Sequence, residues 1–162
     1  MSGKLIVFEG VEGAGKTTQI LASSTWLQDL YGGETVTITR QPGGTKLGRK
    51  IRQLLLDDFD NCAHVDPVEI IHEMTELLLY GADRAQHIAA VIQPQLDLGN
   101  IVLCDRFTDS TIAYQSYGRG IDRMSIERVN NLATSGLKSD LDRKSTRLNS
   151  SHHAISRMPS SA

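Results

Sequence analysis

Leu5-Ile-Val-Phe-Glu-Gly10-Val-Glu-Gly-Ala-Gly15-Lys16-Thr17-Thr18 decides how this chain is read. Leu5–Glu9, opening with the apolar run Leu5 to Phe8, reads as apolar on both faces, the pattern of a central strand in a parallel sheet. Gly10, four further residues, Gly15, Lys16 and Thr17 then spell G-x-x-x-x-G-K-[ST], a phosphate-binding loop. The glycines accept positive φ and let backbone N–H groups approach phosphate oxygens. Lys16 is placed to reach the β- and γ-phosphates, and the Thr17 hydroxyl to sit on Mg²⁺. The helix predicted over Thr18–Leu30 adds its positive end. The competing reading, a glycine-rich turn that matches by chance, leaves the strand before it and the helix after it unexplained.

Outward from this loop, strands and helices alternate. Glu34–Thr39 interleaves Thr with Val and Ile and reads as a second strand. Ile101–Cys104 is a third, ending in Asp105-Arg106. Between them, Thr45 caps a helix to Leu56, and Asp66-Pro67 starts another that reaches Gly81. A further helix is predicted over Ala82–Leu98, bent or divided at Pro94. Thr108–Tyr117 and a helix from Ser125 to Ser135 follow. The fold class is therefore α/β with a parallel sheet. Ligands of such sheets lie beyond the C-terminal strand ends, here Glu9-Gly10, Arg40-Gln41 and Asp105-Arg106.

The 162 residues suit one domain. A formal charge of −2 gives no attraction for nucleic acid or a membrane surface. No apolar run approaches a membrane span, and Met1-Ser-Gly-Lys leads straight into a strand without a signal segment. Cys104 reads as a buried small hydrophobe and Cys62 as a loop residue, with no metal spacing, so a cytoplasmic, reducing compartment is expected. Composition shifts near residue 142. The last 21 residues hold six serines and four Lys/Arg, with no helical or strand period. Asp142-Arg-Lys-Ser-Thr-Arg-Leu-Asn-Ser-Ser-His152 resembles translated sequencing-adapter DNA. Residues 142–162 are expected to be a non-native or disordered tail, and 1–141 the folded part.

Phosphoryl transfer needs a phosphate cradle, a metal ligand and cations on the second substrate. Asp105, closing a buried strand, suits Mg²⁺ or a helix cap. Arg106 suits a bidentate phosphate contact or a surface ion pair. Taken alone, Arg52 and Arg84 fit either solvent or a ligand, and Tyr80 fits either a base stack or the core. His64, His72 and His87 have no partner pattern and read as structural or surface residues.

Glu9-Gly-Val-Glu-Gly-Ala-Gly-Lys-Thr-Thr18 resembles the thymidylate kinase family. So do, in order, Thr39-Arg-Gln-Pro-Gly-Gly-Thr45, Lys50-Ile-Arg-Gln-Leu-Leu-Leu56, Tyr80-Gly-Ala-Asp-Arg84, Asp105-Arg-Phe107 and Ser110-Thr-Ile-Ala-Tyr-Gln-Ser-Tyr-Gly-Arg-Gly-Ile121. The resemblance implies a P-loop NTPase-type sheet with helices on both faces. It implies transfer of the ATP γ-phosphoryl group to dTMP with Mg²⁺, catalytic roles for Lys16, Asp105 and Arg106, and a homodimer. It places Gly10, Val11, Glu12, Gly13, Ala14, Gly15, Lys16, Thr17 and Thr18 on ATP, and Thr17 and Asp105 on the metal. It places Glu12 near the sugar 3′-hydroxyl, Arg52 and Arg106 on the monophosphate, Tyr80 against the thymine, Arg84 on a thymine carbonyl, and Thr111 and Gln115 along the base. The run Leu77-Leu-Leu79 could serve the interface or the core.

Three departures matter. Gln41 stands where the family pattern has Glu, which removes a charge beside the site. Gly13 follows Glu12 where one branch carries a loop arginine, so the chain resembles the branch whose arginine comes from a lid, expected downstream of Leu141. The family sheet has five strands and three are legible here, so the fold is expected to be incomplete at the C-terminus, with the first strand an open edge. A non-catalytic nucleotide-binding module and a kinase for another nucleoside monophosphate remain the alternatives.

Overall fold

The structure is a computed structural model that describes residues 2–56 and 71–145. The expected connection over Asp57–Val65, the Asp66-Pro67 helix start, Cys62 and His64 lie outside the described residues. Four parallel strands, β1 Lys4–Gly10, β2 Val36–Arg40, β3 Ile101–Asp105 and β4 Leu141–Ser145, form one sheet in the order β2-β3-β1-β4. Phe8 lies opposite Asp105, and Asp105 opposite Arg40. The three charged strand ends therefore stand side by side at one edge of the sheet, as the strand reading expects.

Helices cover both faces because β1 and β3 are apolar in both directions. Phe8 and Leu103 pack on Ile20 and Leu27 of α1 (Lys16–Tyr31). Leu5, Val7, Val102 and Cys104 face the other way, against Ile88, Ile92 and Phe107. Each large side chain buried this way contributes about 1.5–3 kcal/mol of transfer free energy. Burial pushes the Cys104 thiol pKa up, in keeping with a packing role.

The helix after the second strand is α2 (Lys46–Leu56), capped as expected: Thr45 Oγ1 accepts from the Gly48 N–H at 2.8 Å. The break predicted at Gly81 is absent. α3 runs from Glu73 to His87 through it. A Cβ at Gly81 would come within 2.8 Å of the Val129 Cγ1, so this glycine brings α3 against α6 (Arg123–Thr134) rather than ending a helix. The division near Pro94 is real. A π-helical turn over Ile88–Ile92 leads into α4 (Gln93–Asp97), whose first turn takes the proline. α5 (Thr108–Thr111) likewise continues into a π-helical stretch, Ile112–Gly118. The cap of α6 is Asp122, which accepts from the Ser125 N–H at 3.0 Å; Ser125 lies inside the helix.

β1 is not an open edge. Leu141–Ser145 pairs in parallel with Ile6–Gly10, so the first four residues of the expected tail belong to a strand. This strand is polar and mostly exposed, and the backbone ladder rather than burial holds it. Asp140 fastens its start: its carboxylate accepts from Lys4 Nζ at 2.8 Å and the Leu5 N–H at 2.9 Å, and its own N–H donates to the Leu5 carbonyl at 2.8 Å. The Lys4 contact holds the Asp140 carboxyl below the usual range. Composition missed β4 because backbone pairing needs no apolar pattern. Residues 146–162 lie outside the described residues.

Candidate active site

Gly10, Gly13 and Gly15 of the first loop all have positive φ, at 146°, 73° and 80°, as the motif requires. Lys16 is buried, and its Nζ donates to the carbonyls of Gly10 and Val11, both at 2.9 Å. An ammonium has three donors, so one remains for a phosphate. The N-terminus of α1 stands directly behind.

At the neighbouring strand end, Asp105 lies between this loop and β2. Its Oδ1 is buried and has no hydrogen-bond partner among the described residues. A buried carboxylate oxygen with no donor suits a cation. Arg106 follows with φ +70°, a left-handed backbone uncommon outside glycine. Its Nη1 donates to Ser110 Oγ at 3.2 Å and to the Tyr114 hydroxyl at 3.4 Å, and the guanidinium lies 5.4 Å from the Tyr114 ring centre.

These groups open on one cavity of about 540 Å³. Glu12, Gly13, Gly15, Lys16, Thr17, Arg52, Tyr80, Arg84, Asp105, Arg106, Thr111 and Gln115 all line it; Gly10, Val11, Ala14 and Thr18 do not. Thr17 and Asp105 also border a second cavity, of about 390 Å³, beside Arg40 and Arg49. Arg52 reaches across from α2 and donates to the Pro42 carbonyl at 3.2 Å. Burial, then the nearby Glu76, raise the Tyr80 phenol pKa.

Arg84, which the resemblance places on a thymine carbonyl, is also held by the protein itself. It is 2 % exposed and donates to Gln41 Oε1 (3.0 Å), the Phe107 carbonyl (2.9 Å), Thr111 Oγ1 (2.7 Å) and Asn130 Oδ1. Four of a guanidinium's five N–H groups are thus committed to the protein. Burial lowers its pKa to about 10, against the opposing pull of Asp83, and it stays charged at neutral pH. Gln115 is likewise engaged, donating from Nε2 to Glu76 Oε1 at 2.9 Å.

Gln41 links Arg84 to His87, and donor counting fixes its orientation. Arg84 Nε can only donate, so the Gln41 oxygen faces it and the Gln41 amide nitrogen faces His87 Nδ1, at 2.9 Å. That nitrogen can also only donate, so Nδ1 accepts and Nε2 carries the proton. Nε2 then donates to Thr39 Oγ1 at 2.5 Å. The neutral imidazole satisfies both contacts. Burial, with the Arg84 charge adding to it, lowers the His87 pKa to about 4. His87 is thus structural, as expected, and His72 is a helix cap whose Nδ1 accepts from the Met74 N–H at 3.2 Å.

Motif spacing did not single out Gln41 as the bridge between Arg84 and His87, nor Asp83, whose carboxylate accepts from the Gly43 N–H at 3.0 Å. Burial raises the Asp83 carboxyl pKa. Their one sequence signal is their place inside the Thr39–Thr45 and Tyr80–Arg84 stretches. The fit here is tight: a Cβ at Gly44 would come within 2.4 Å of His87 Nε2 and 2.8 Å of the Arg40 carbonyl. Gly44→Ala should therefore lower stability by about 2 kcal/mol in urea unfolding.

A family model described as thymidylate kinase matches residues 8–141. The chain belongs to the thymidylate kinase family. The thymidylate kinase of Trichodesmium erythraeum is 57 % identical, over 87 % of this chain and 65 % of that protein. That of a Cyanothece strain is 53 % identical, over 87 % and 62 %. This chain therefore spans less than two thirds of the length of these relatives. The crystal structure of thymidylate kinase from Ehrlichia chaffeensis matches with a TM-score of 0.81 at 36 % identity, over 94 % of this chain and 81 % of that one. The parallel sheet with helices on both faces is thus the P-loop NTPase fold of the family. Among the described residues no helix is long and apolar enough to cross a membrane.

Proposed function

We propose that this chain transfers the γ-phosphoryl group of ATP to dTMP, giving dTDP. The observation that carries this reading is the single cavity on which the phosphate loop, Asp105-Arg106 and the Arg52–Tyr80 wall converge. Neither a nucleotide-binding module nor another monophosphate kinase is favoured over the family's own reaction.

Residues for Mg²⁺ fit the ion. Asp105 Oδ1 lacks a donor, Thr17 shares its cavity wall, and no group of three or more acidic, His or Cys side chains capable of holding a metal occurs among the described residues. Asp105 and Thr17 would hold the ion from the protein side and would leave its other positions to nucleotide phosphates and water. When bound, it neutralises phosphate charge during transfer. The loop N–H groups and Lys16 hold the ATP phosphates, with Gly10 to Thr18 as the ATP segment. Arg106 and Arg52 hold the acceptor monophosphate against its own charge. Glu12, exposed at the loop, accepts a hydrogen bond from the sugar 3′-hydroxyl. Tyr80 offers its ring to the thymine, and Thr111 and Gln115 border it. Arg84 has one N–H left beyond its protein partners, which limits it to a single hydrogen bond to the base.

The reading includes a cytoplasmic setting, no nucleic-acid or membrane partner, and a homodimer in which α3 takes part. Leu77 is core, whereas Leu78 is 55 % exposed and available to a second copy. Residues 1–141, with the strand pairing carried on to Ser145, form the kinase part in place of the expected boundary at 141, and 146–162 remain a proposed tail. Lys16→Ala tests the function. ATP affinity by calorimetry should fall tenfold or more while dTMP affinity holds. Unchanged ATP binding, or wild-type preference for another monophosphate over dTMP, would sink the assignment.

A further inference from the structure

We propose that Glu9 is a positioning residue that holds Arg106 in its monophosphate-binding conformation. The proposal rests on the function assigned to Arg106 above. Glu9 lies at the end of β1 and is 5 % exposed, and no motif role falls to it. Its carboxylate collects three donors from the segment after β3. Oε1 accepts from the Phe107 N–H at 2.8 Å and the Ser110 N–H at 3.4 Å; Oε2 accepts from the Ser110 hydroxyl at 2.5 Å.

These contacts bracket the left-handed Arg106. The Arg106 N–H donates to the Phe8 carbonyl at 2.9 Å, and the next N–H in the chain donates to the Glu9 side chain. Both amides flanking the φ +70° residue are therefore tied to the end of β1. A non-glycine residue keeps such a backbone only where its surroundings over-determine it. The third contact reaches the guanidinium itself. The Ser110 hydroxyl gives its proton to Glu9, and its oxygen accepts from Arg106 Nη1 at 3.2 Å. One buried carboxylate thus sets the backbone of Arg106 and, through Ser110, the aim of its side chain. Aspartate is one carbon too short to span the same donors, and alanine leaves the Phe107 N–H without an acceptor.

The test compares Glu9→Ala and Glu9→Gln with the wild-type chain, using dTMP and ATP calorimetry and amide exchange at Phe107. Glu9→Ala should weaken dTMP tenfold or more, leave ATP within threefold and speed Phe107 exchange a hundredfold. Glu9→Gln keeps an acceptor for Phe107 and should restore dTMP binding to within threefold. Unchanged dTMP affinity in Glu9→Ala, an equal loss of both ligands, or no rescue by glutamine would overturn the proposal. If Glu9→Ala does not fold, Ser110→Ala decides: dTMP should weaken about fivefold with ATP unchanged, and wild-type affinity would overturn it. If the wild-type chain takes no dTMP, the functional reading fails separately. Phe107 exchange then decides for Glu9, with equal rates in wild type and Glu9→Ala counting against it.

Discussion

Arg84→Met should lower the free energy of unfolding by about 4 kcal/mol, read as a fall in the urea midpoint at unchanged slope. Methionine fills much of the volume, so the loss is polar rather than a cavity. The substitution strips donors from Gln41 Oε1, Asn130 Oδ1, Thr111 Oγ1 and the Phe107 carbonyl, all in the buried interior beside the cavity. Each buried group left unpaired costs about 1–3 kcal/mol, and relaxation toward the cavity recovers part of the sum. Asp83, 1 % exposed, also loses the adjacent cation that offsets its burial. Arg84→Lys should recover less than half of the loss. A lysine carries its charge on one nitrogen and cannot reach Gln41, Asn130 and the Phe107–Thr111 turn from three edges of a planar fork. A change below about 1 kcal/mol in Arg84→Met would mean that the node is not what holds α3, α6 and the β3 end together.

How much of this was legible beforehand follows from which residues carry their meaning locally. Gly10 to Thr17 is a contiguous motif whose glycines, lysine and threonine each answer one demand of a phosphate. The strands at β1 and β3 are apolar on both faces, and the Thr45 cap sits immediately ahead of its helix. Each could be read without knowing what lies across the sheet. Ser125 is not the cap its position suggests, because Asp122, three residues earlier, starts the helix sooner and takes the Ser125 N–H itself. Gly81 looked like a helix end, but its missing Cβ admits Val129 from α6, a contact between residues 48 positions apart. β4 has no apolar pattern, and only the ladder to β1 defines it. The largest gap concerns Arg84, Gln41, His87 and Glu9. The resemblance to the thymidylate kinase family brought Arg84 and Gln41 into view only as single residues beside a ligand. Their engagement with each other depends on β2, α3 and the β3 end meeting in space, which no spacing along the chain encodes.

His87 should make the chain lose about 3 kcal/mol of stability between pH 6.5 and pH 4, beyond the loss from other groups. The unfolded imidazole takes its proton near 6.5, whereas the native one resists until about 4. Across that window the unfolded chain binds one more proton, so stability falls as pH falls and is fully regained above 6.5. The structural reason lies in the tautomer. A protonated His87 would present an N–H at Nδ1 to the Gln41 amide, which offers only N–H in return, and the charge would stand near Arg84. Urea unfolding of wild type and His87→Gln at pH 7 and pH 5 checks this. Wild type should lose about 2 kcal/mol more than the variant over that interval, whatever the variant's absolute stability. Asp83 works in the opposite sense. Its raised carboxyl pKa makes the native state the better proton acceptor near pH 4, and the same groups in the variant remove that contribution from the comparison. Gln41→Glu should reverse the effect, because a carboxylate facing Nδ1 stabilises the proton there, and the His87 titration followed by NMR should move up by at least one unit. Parallel pH dependence in wild type and His87→Gln would mean that His87 is protonated in the native state at pH 5, contrary to the hydrogen bonding derived from Gln41.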